Sequence, residues 1–339
     1  MTFDLIAVGS AVVDHIHRVT VLPKRDAGVA ILDRRSGPGG VEGNVAAAAA
    51  RLGLRTGIIC RLGADDGGAM VLADFQAREV DVSRVQIGDA DDTAYTLVFV
   101  DGQGERMMMT GGLGVRGLAL EDADDAYIQR ARVCATSGYL PWPQLQRVAK
   151  DCAADGGPLL TFDLPGEFDD LEGRGFRREH LDALLPGIDL LVTSRESLRS
   201  YAGAPTLGAG LAQLHGKGLR RAVISDGVRG LTLCERDGDG WRIDEVPCFA
   251  VPVVDTTGAG DVLHAALVAA WLLDGQPAPM AGRFAAAAAA LACQGWGTRE
   301  ALPTRAEVEV LMEDGETVRR QDDETARRQV EETGANLYA

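Results

Sequence analysis

The sequence is poor in positive charge, in aromatic residues and in long apolar runs. Its 34 Lys and Arg stand against 50 Asp and Glu, a formal charge of -16. Most of such a surface repels nucleic acid and anionic membrane, so neither is expected as a partner. No stretch supplies the about 20 consecutive apolar residues that a membrane helix needs. Phe3 to Val8 reads as a strand and not as the basic segment and apolar core of a secretory signal, so a cytoplasmic location is expected. The six cysteines (Cys60, Cys134, Cys152, Cys234, Cys248 and Cys293) contain no CxxC pair and meet no His at zinc-ligand spacing. They read as small buried hydrophobes in a reducing compartment. There is no GxxxxGK[ST], which excludes a P-loop enzyme. A literal GxGxxG at Gly112 to Gly117 fails as a dinucleotide fingerprint, because it follows a hairpin and the next strand ends in Ser137-Gly138 with no acid for a ribose.

What the chain does have is a rhythm. With 339 residues, 46% hydrophobic residues and 42 glycines it is long enough for one large, turn-rich α/β domain. Apolar runs of strand length (Leu5 to Val8, Gly57 to Cys60, Arg132 to Thr136, Pro158 to Phe162, Leu190 to Thr193, Ala222 to Ser225) alternate with helical patterns. The helices are expected at Val45 to Leu52, Ala69 to Arg78, Asp122 to Arg130, Trp142 to Ala154, Thr206 to Lys217 and Val262 to Leu273. Runs apolar on both faces suit parallel strands covered on both sides. One segment breaks the rhythm: Thr93 to Val100, then Gly102-Gln103-Gly104, then Glu105 to Thr110 reads as an antiparallel hairpin. Ile16 to Leu32 could add strands to the same small sheet, giving a lid from about 14–35 and 92–111 on a domain spanning 1–312. The tail 313–339 is charge-rich and poor in apolar residues.

The chemistry concentrates in Asp255-Thr256-Thr257-Gly258-Ala259-Gly260-Asp261. Gly258 and Gly260 let main-chain N–H groups converge without side-chain obstruction, and the following helix adds its positive dipole end. Asp261 then lies beside an anion site as a candidate base for a hydroxyl that attacks a phosphoryl group. Read alone, the same residues are a tight turn with an acid in a helix's first turn. Gly39-Gly40 with Asn44 precedes a helix and offers donors suited to a neutral polyol, although Asn44 could equally be a cap. Asp14, just past the first strand, could accept hydrogen bonds from vicinal hydroxyls. Ser225, Gly227 and Gly230 follow another strand and offer a hydroxyl and N–H groups to a phosphate. The glycines from Cys293 to Gly297 could open a slot for a flat ring, or simply end a helix. Arg34, Arg35 and Arg106 lie near the expected lid and could meet an acidic or phosphorylated substrate.

Taken together, these motifs resemble the ribokinase-like, or PfkB, family of carbohydrate and nucleoside kinases over about residues 4 to 312. The N-terminal signature is matched by Gly39-Gly40 and Asn44, continuing through Gly53 to Gly63-Ala64-Asp65, and the C-terminal one by Asp255 to Asp261. The resemblance implies a three-layer ribokinase-like sandwich with a mainly parallel sheet and a β lid that often serves as a homodimer contact. It implies Asp261 as base, Gly258, Ala259 and Gly260 as anion hole, and Asp14, Gly39, Gly40 and Asn44 on the sugar. It further implies ATP along Ser225, Gly227 and Gly230, with Cys293 and Gly297 near the adenine, and Mg2+. Asp255 and Thr257 fall where the family commonly organises a monovalent cation such as K+. Two motifs depart from the pattern. Where the family often has Asn-x-x-Glu, this chain has Ser194-Arg195-Glu196-Ser197, so Glu196 is the candidate metal ligand; and Asp-x-Asn-x-Arg is reduced to Asp163 alone. The expected function is an ATP-dependent sugar kinase; a nucleoside kinase and a catalytically silent sugar-binding regulator are the alternatives.

Overall fold

The structure is a computed structural model that describes residues 2–89, 93–102 and 106–318. The expected hairpin turn at Gln103 and Gly104, and the tail beyond Val318, lie outside the described residues. The first third of the chain runs β1 (Phe3–Val8), β2 (Val12–Val19), β3 (Ile31–Gly39), α1 (Val41–Arg51), β4 (Thr56–Ile59), β5 (Arg61–Leu62), α2 (Asp66–Ala77), β6 (Gln86–Ile87), β7 (Tyr95–Val100) and β8 (Arg106–Gly111). Then come α3 (Asp122–Ile128), β9 (Ala131–Ser137), α4 (Trp142–Cys152), β10 (Leu159–Leu164), α5 (Phe168–Gly173), α6 (Arg178–Leu184), β11 (Leu190–Ser194), α7 (Arg195–Ala202) and α8 (Leu207–Gly216). The last part runs β12 (Arg221–Ser225), β13 (Leu231–Asp237), β14 (Gly240–Val246), α9 (Ala259–Leu267), α10 (Ala278–Ala292) and α11 (Arg305–Asp314).

Eight strands form one large sheet in the order β14-β13-β12-β11-β10-β9-β1-β4. All pairs from β4 to β12 are parallel, and β13 and β14 add an antiparallel edge. The period-two geometry of a strand explains why its members read as unbroken apolar runs. Leu5 and Ala7 enter one core while Ile6 and Val8 enter the other, and Val133 and Cys134, or Leu190 and Leu191, divide in the same way. Helices α1, α9 and α10 cover the first face. Their alanines Ala46 to Ala49 and Ala285 to Ala288 are buried, and such small side chains let α1 pack closely on α9. That close approach brings Asn44 on the one to Asp261 on the other.

Two boundaries differ from expectation for a local reason. Helix α1 starts at Val41 and not at Val45, because Gly40 takes φ 90° and turns the chain into the helix early. Past Leu267, α9 continues as a π-helical turn over Val268–Leu273.

The expected second sheet has four strands, β3-β2-β7-β8. It starts closer to the large sheet than expected, since β2 and β3 pair from Val12 with Gly39 outward to Val19 with Ile31. Alternation puts Asp14, Ile16, Thr96, Val98 and Arg106 on one face of this sheet and His15, His17, Tyr95 and Phe99 on the other. The GxGxxG glycines serve packing at its root: a Cβ on Gly112 would lie 2.7 Å from the Ala94 Cα, and one on Gly114 would lie 2.4 Å from the Ala94 Cβ. Among the described residues no helix is long and apolar enough to cross a membrane.

Candidate active site

The chemistry-bearing residues gather at the carboxyl ends of the parallel strands, where α/β sheets place their ligands. Ser10 follows β1, Asp163 lies in β10, Ser194 ends β11 and Ser225 ends β12. Over them lies the N-terminus of α9, with Gly258 as its cap in the left-handed conformation, φ 82°. A Cβ on Gly258 would sit 3.0 Å from the Thr298 side chain, so both space and backbone angle require glycine. The Ala259 N–H turns back to the Thr256 carbonyl at 3.2 Å. The Gly260 and Asp261 N–H groups belong to the first turn, whose amides have no intrahelical acceptor.

Asp261 is half-buried and accepts a 2.7 Å hydrogen bond from Asn44 Nδ2. Burial first, then the nearby acids Glu42 and Asp14, push its carboxyl up to about 8, against the Asn44 hydrogen bond and the Arg299 charge. Asp14 is buried and lies directly over Gly39, where a Cβ would be 2.1 Å from Oδ2. Its carboxyl is raised to about 6, by burial first and by Asp255, opposed by a Thr96 hydrogen bond and by Arg299. Gly40 is held close to the first loop as well, since a Cβ there would be 2.8 Å from the Ser10 carbonyl.

Glu42, His264 and Arg299 escape a reading of motifs. Glu42 is fully buried in α1 and accepts from both the N–H and the hydroxyl of Ser10 at 2.7 Å. Burial holds its carboxyl above the usual range. Asp163 is also raised, by burial and by the charges of Asp261 and Glu42. His264, one turn beyond Asp261, is buried with Nδ1 3.9 Å from Asp163 Oδ2 and Nε2 2.9 Å from Thr161 Oγ1, and burial lowers its pKa to about 4. The third is Arg299, a buried guanidinium that donates to Asn44 Oδ1. An acid between glycines was the one available signal, at Glu42; an arginine in a loop carries none.

A cavity of about 910 Å3 runs from Ala259 and Gly260 past Ser194, Glu196, Ser225, Gly227 and Gly230 to Cys248, Ala286 and Cys293. Five of the residues expected on the nucleotide or its metal, Glu196, Ser225, Gly227, Gly230 and Cys293, therefore share one wall system with the glycine turn. Gly227 has φ 51° and open space around its Cβ position. Gly230 has a second duty, because a Cβ there would lie 2.1 Å from the Val246 carbonyl. Gly297 is not brought to this cavity. Its N–H donates to Asp255 Oδ2 at 2.9 Å, and it lines a smaller cavity of about 260 Å3 with Asp14, Ile16 and Trp296. Asp255 Oδ1 accepts from both the N–H and the hydroxyl of Thr257, at 2.9 and 2.7 Å, so this acid ties the glycine turn to the loop after α10.

The serines at the family's Asn-x-x-Glu positions cap a helix: Ser194 Oγ accepts from the Ser197 N–H at 3.0 Å and lies 2.9 Å from its hydroxyl. Glu196 is left facing the cavity. Of the three arginines considered for an anionic substrate, Arg106 donates to Thr257 Oγ1 at 3.5 Å and lines the large cavity. Arg35 stacks over Trp296 at 5.1 Å, and Arg34 pairs with His17 on the opposite face of the small sheet.

Comparison with known proteins agrees with this fold. The family model described as pfkB family carbohydrate kinase matches residues 2–305. An ATP-dependent ribose-1-phosphate kinase of Halopiger xanaduensis is 31% identical over 299 residues, covering 88% of this chain and 94% of that one. A ribokinase of Arabidopsis thaliana is 27% identical over 320 residues, covering 91% of this chain and 81% of that one. The solved structure of an Arabidopsis thaliana ribokinase complexed with ribose and ATP superimposes with a TM-score of 0.77 at 25% identity, covering 92% of this chain and 99% of that one. With the fold, the glycine turn and the match along nearly its whole length in agreement, the chain belongs to the pfkB family of carbohydrate kinases.

Proposed function

We propose that this protein transfers the γ-phosphoryl group of ATP to a hydroxyl of a sugar or sugar-like alcohol, with Asp261 as general base. The observation that carries the reading is the meeting of two sites at α9. The large cavity ends at Ala259 and Gly260, and Asp261, one residue on, faces Asn44, with Asp14 and Gly39 beyond. A hydroxyl held by Asp14 and Asn44 would lie next to Asp261 on one side and the phosphate-binding turn on the other. Asp261 accepts the hydroxyl proton, while the Gly258 to Gly260 turn and the dipole of α9 stabilise negative charge on the transferred group.

Glu196 fits Mg2+, which is commonly held by one or two carboxylates together with substrate phosphates, and the metal when bound neutralises charge on those phosphates. Asp255 and Thr257 are proposed to organise a monovalent cation such as K+ beneath the turn; activity in K+ exceeding that in tetramethylammonium is the expected sign. The small sheet is proposed as the lid that excludes water, and Arg106 already bridges it to Thr257. Its flank and outer face expose Val21, Ile31, Leu32, Tyr95 and Met109, which supports a homodimer contact testable by gel filtration. Tyr95 and Phe99 are spent on His15 and His17 on that outer face, which favours a sugar over a nucleobase in the site.

The test is ADP release from Mg-ATP across D-ribose, ribose 1-phosphate, D-fructose and adenosine. Turnover with a sugar, abolished in Asp261→Asn while ATP binding persists, is the expected result. Silence across the panel with sugar binding retained would make the protein a sugar-binding regulator.

A further inference from the structure

Arg299 belongs to none of the sequence motifs, yet it is 5% exposed and stands at the centre of the site. Its Nε donates to Asn44 Oδ1 at 3.1 Å, its Nη2 to the Gly39 carbonyl at 3.1 Å, and its Nη1 to Asp74 Oδ2 at 2.5 Å. The guanidinium lies 4.9 Å above the Phe75 ring. Helix α1 makes room for it, since a Cβ on Gly43 would fall 2.7 Å from Nη2. The neighbouring Thr298 hydroxyl donates to the Pro38 carbonyl at 2.8 Å, so the loop after α10 is sewn to the root of the small sheet.

A buried arginine paired with Asp74 could be a structural staple between α2 and this loop. Two of these three hydrogen bonds, however, go to Asn44 and Gly39, both expected on the sugar. An asparagine amide has one acceptor oxygen and two N–H donors. With its oxygen held by the guanidinium, Asn44 must present its nitrogen to Asp261. The flipped amide would set its NH2 against the guanidinium, donor against donor, and leave Arg299 Nε without its acceptor.

We propose that Arg299 is a positioning residue for phosphoryl transfer: it locks the Asn44 amide with one N–H on Asp261 and the other free for the sugar hydroxyl. It holds the Gly39 carbonyl in the same grip. The inference rests on the kinase reading of the site, because it gives Asn44 and Asp261 their roles.

The test compares Arg299→Met, Arg299→Lys, Asn44→Ala and the Arg299→Met/Asn44→Ala double variant, with Mg-ATP and the same four acceptors as probes. In Arg299→Met, sugar KM rises and kcat falls, each by about tenfold, with the KM for ATP within about twofold of wild type. In the Asn44→Ala background the same change costs less than about twofold, the non-additivity expected of residues acting through one contact. Arg299→Lys keeps a charge for Asp74 and recovers thermal stability without recovering sugar KM, since one ammonium cannot replace the fork. If the Met variant does not fold, the Lys variant carries the same two measurements. An independent readout is the side-chain NH2 pair of Asn44 in NMR, identified by its loss in Asn44→Ala. Wild type shows two signals shifted from free-asparagine positions and protected from exchange with water, and in Arg299→Met and Arg299→Lys both move towards the free positions and exchange faster. Additive kinetic losses, or an Asn44 amide unchanged by either substitution, would overturn the proposal. A wild type silent on all four acceptors refutes the kinase reading instead, and the NMR measurement still decides the role of Arg299.

Discussion

Asp261→Asn should make the protein more stable while removing its activity, and the gain should depend on pH. The carboxyl titrates at about 8 in the folded chain, against an ordinary value of 3.8. Below the lower value both states are protonated and there is no penalty. Between the two, the unfolded chain has released a proton that the folded chain retains, so stability falls as pH rises. Above about 8 both are ionised and the penalty is constant. At about 1.36 kcal/mol per pH unit the full interval is worth about 5 to 6 kcal/mol. Partial solvent exposure reduces this roughly by half, to about 3 kcal/mol. Asparagine has no proton to lose and still offers an oxygen to Asn44 Nδ2, so it escapes the penalty. For a chain of this size, at about 2.1 cal/mol/K per residue, the gain is about 4 °C in Tm. Thermal unfolding of both proteins from pH 5 to 9 should show Tm curves that diverge up to about pH 8 and run parallel above it. A constant offset, or a variant less stable at pH 9, would refute the view of Asp261 as an acid held neutral by burial.

With Asp261 as the proposed base, kcat/KM should climb about tenfold per pH unit towards a plateau near 8, so that pH 6 gives about a hundredth of the maximum. A limb centred near pH 4 would be inconsistent with the buried base. Asp14→Asn should raise sugar KM by about 10- to 100-fold and leave the KM for ATP within about twofold, because Asp14 lies over Gly39 and outside the large cavity; equal changes in both constants would remove it from the sugar site. Gly230→Ala should cost about 2 to 4 kcal/mol by thermal or urea unfolding, as φ is 90° and the new methyl meets the Val246 carbonyl. Unchanged stability would show that this strand edge yields.

Much of this arrangement was legible in the residues because it follows from local rules. Runs such as Leu190 to Thr193, short, apolar on both faces and alternating with longer helical patterns, read as buried strands, and Gly258 needs both its positive φ and its missing Cβ. Asp14, Gly39, Asn44 and Asp261 come together because Gly39 ends β3 and Asn44 and Asp261 lie in the first turns of α1 and α9, while Asp14 is not in the loop after β1 but near the start of β2, paired with β3. What was not legible depends on pairs distant in sequence. Arg299 meets Asn44 across 255 positions, and nothing near either residue marks the partner. Gly297 lies outside the lining of the large cavity and donates its N–H to Asp255 Oδ2 across 42 positions, a contact that no turn rule anticipates. The edge strands hid from a search for apolar runs, because β13 ends in the charged run Glu235-Arg236-Asp237 and β14 interleaves Arg242, Asp244 and Glu245 with its apolar residues.

The pairing of β2 with β3 has a mechanical corollary. The two strands leave the large sheet together at Val12 and Gly39, so a swing of the small sheet pivots there. At about 3.3 Å per residue, Asp14 sits about 7 Å along the arm, and the row of Arg18, Val100 and Arg106 about 20 Å. A rotation of about 10° then carries Arg106 through about 3.5 Å and Asp14 through only about 1 Å by the same lever. On the proposed closure the flap is geared: an acceptor held by Asp14 stays near the fulcrum, where little moves, and the proposed phosphate end is swept by the tip.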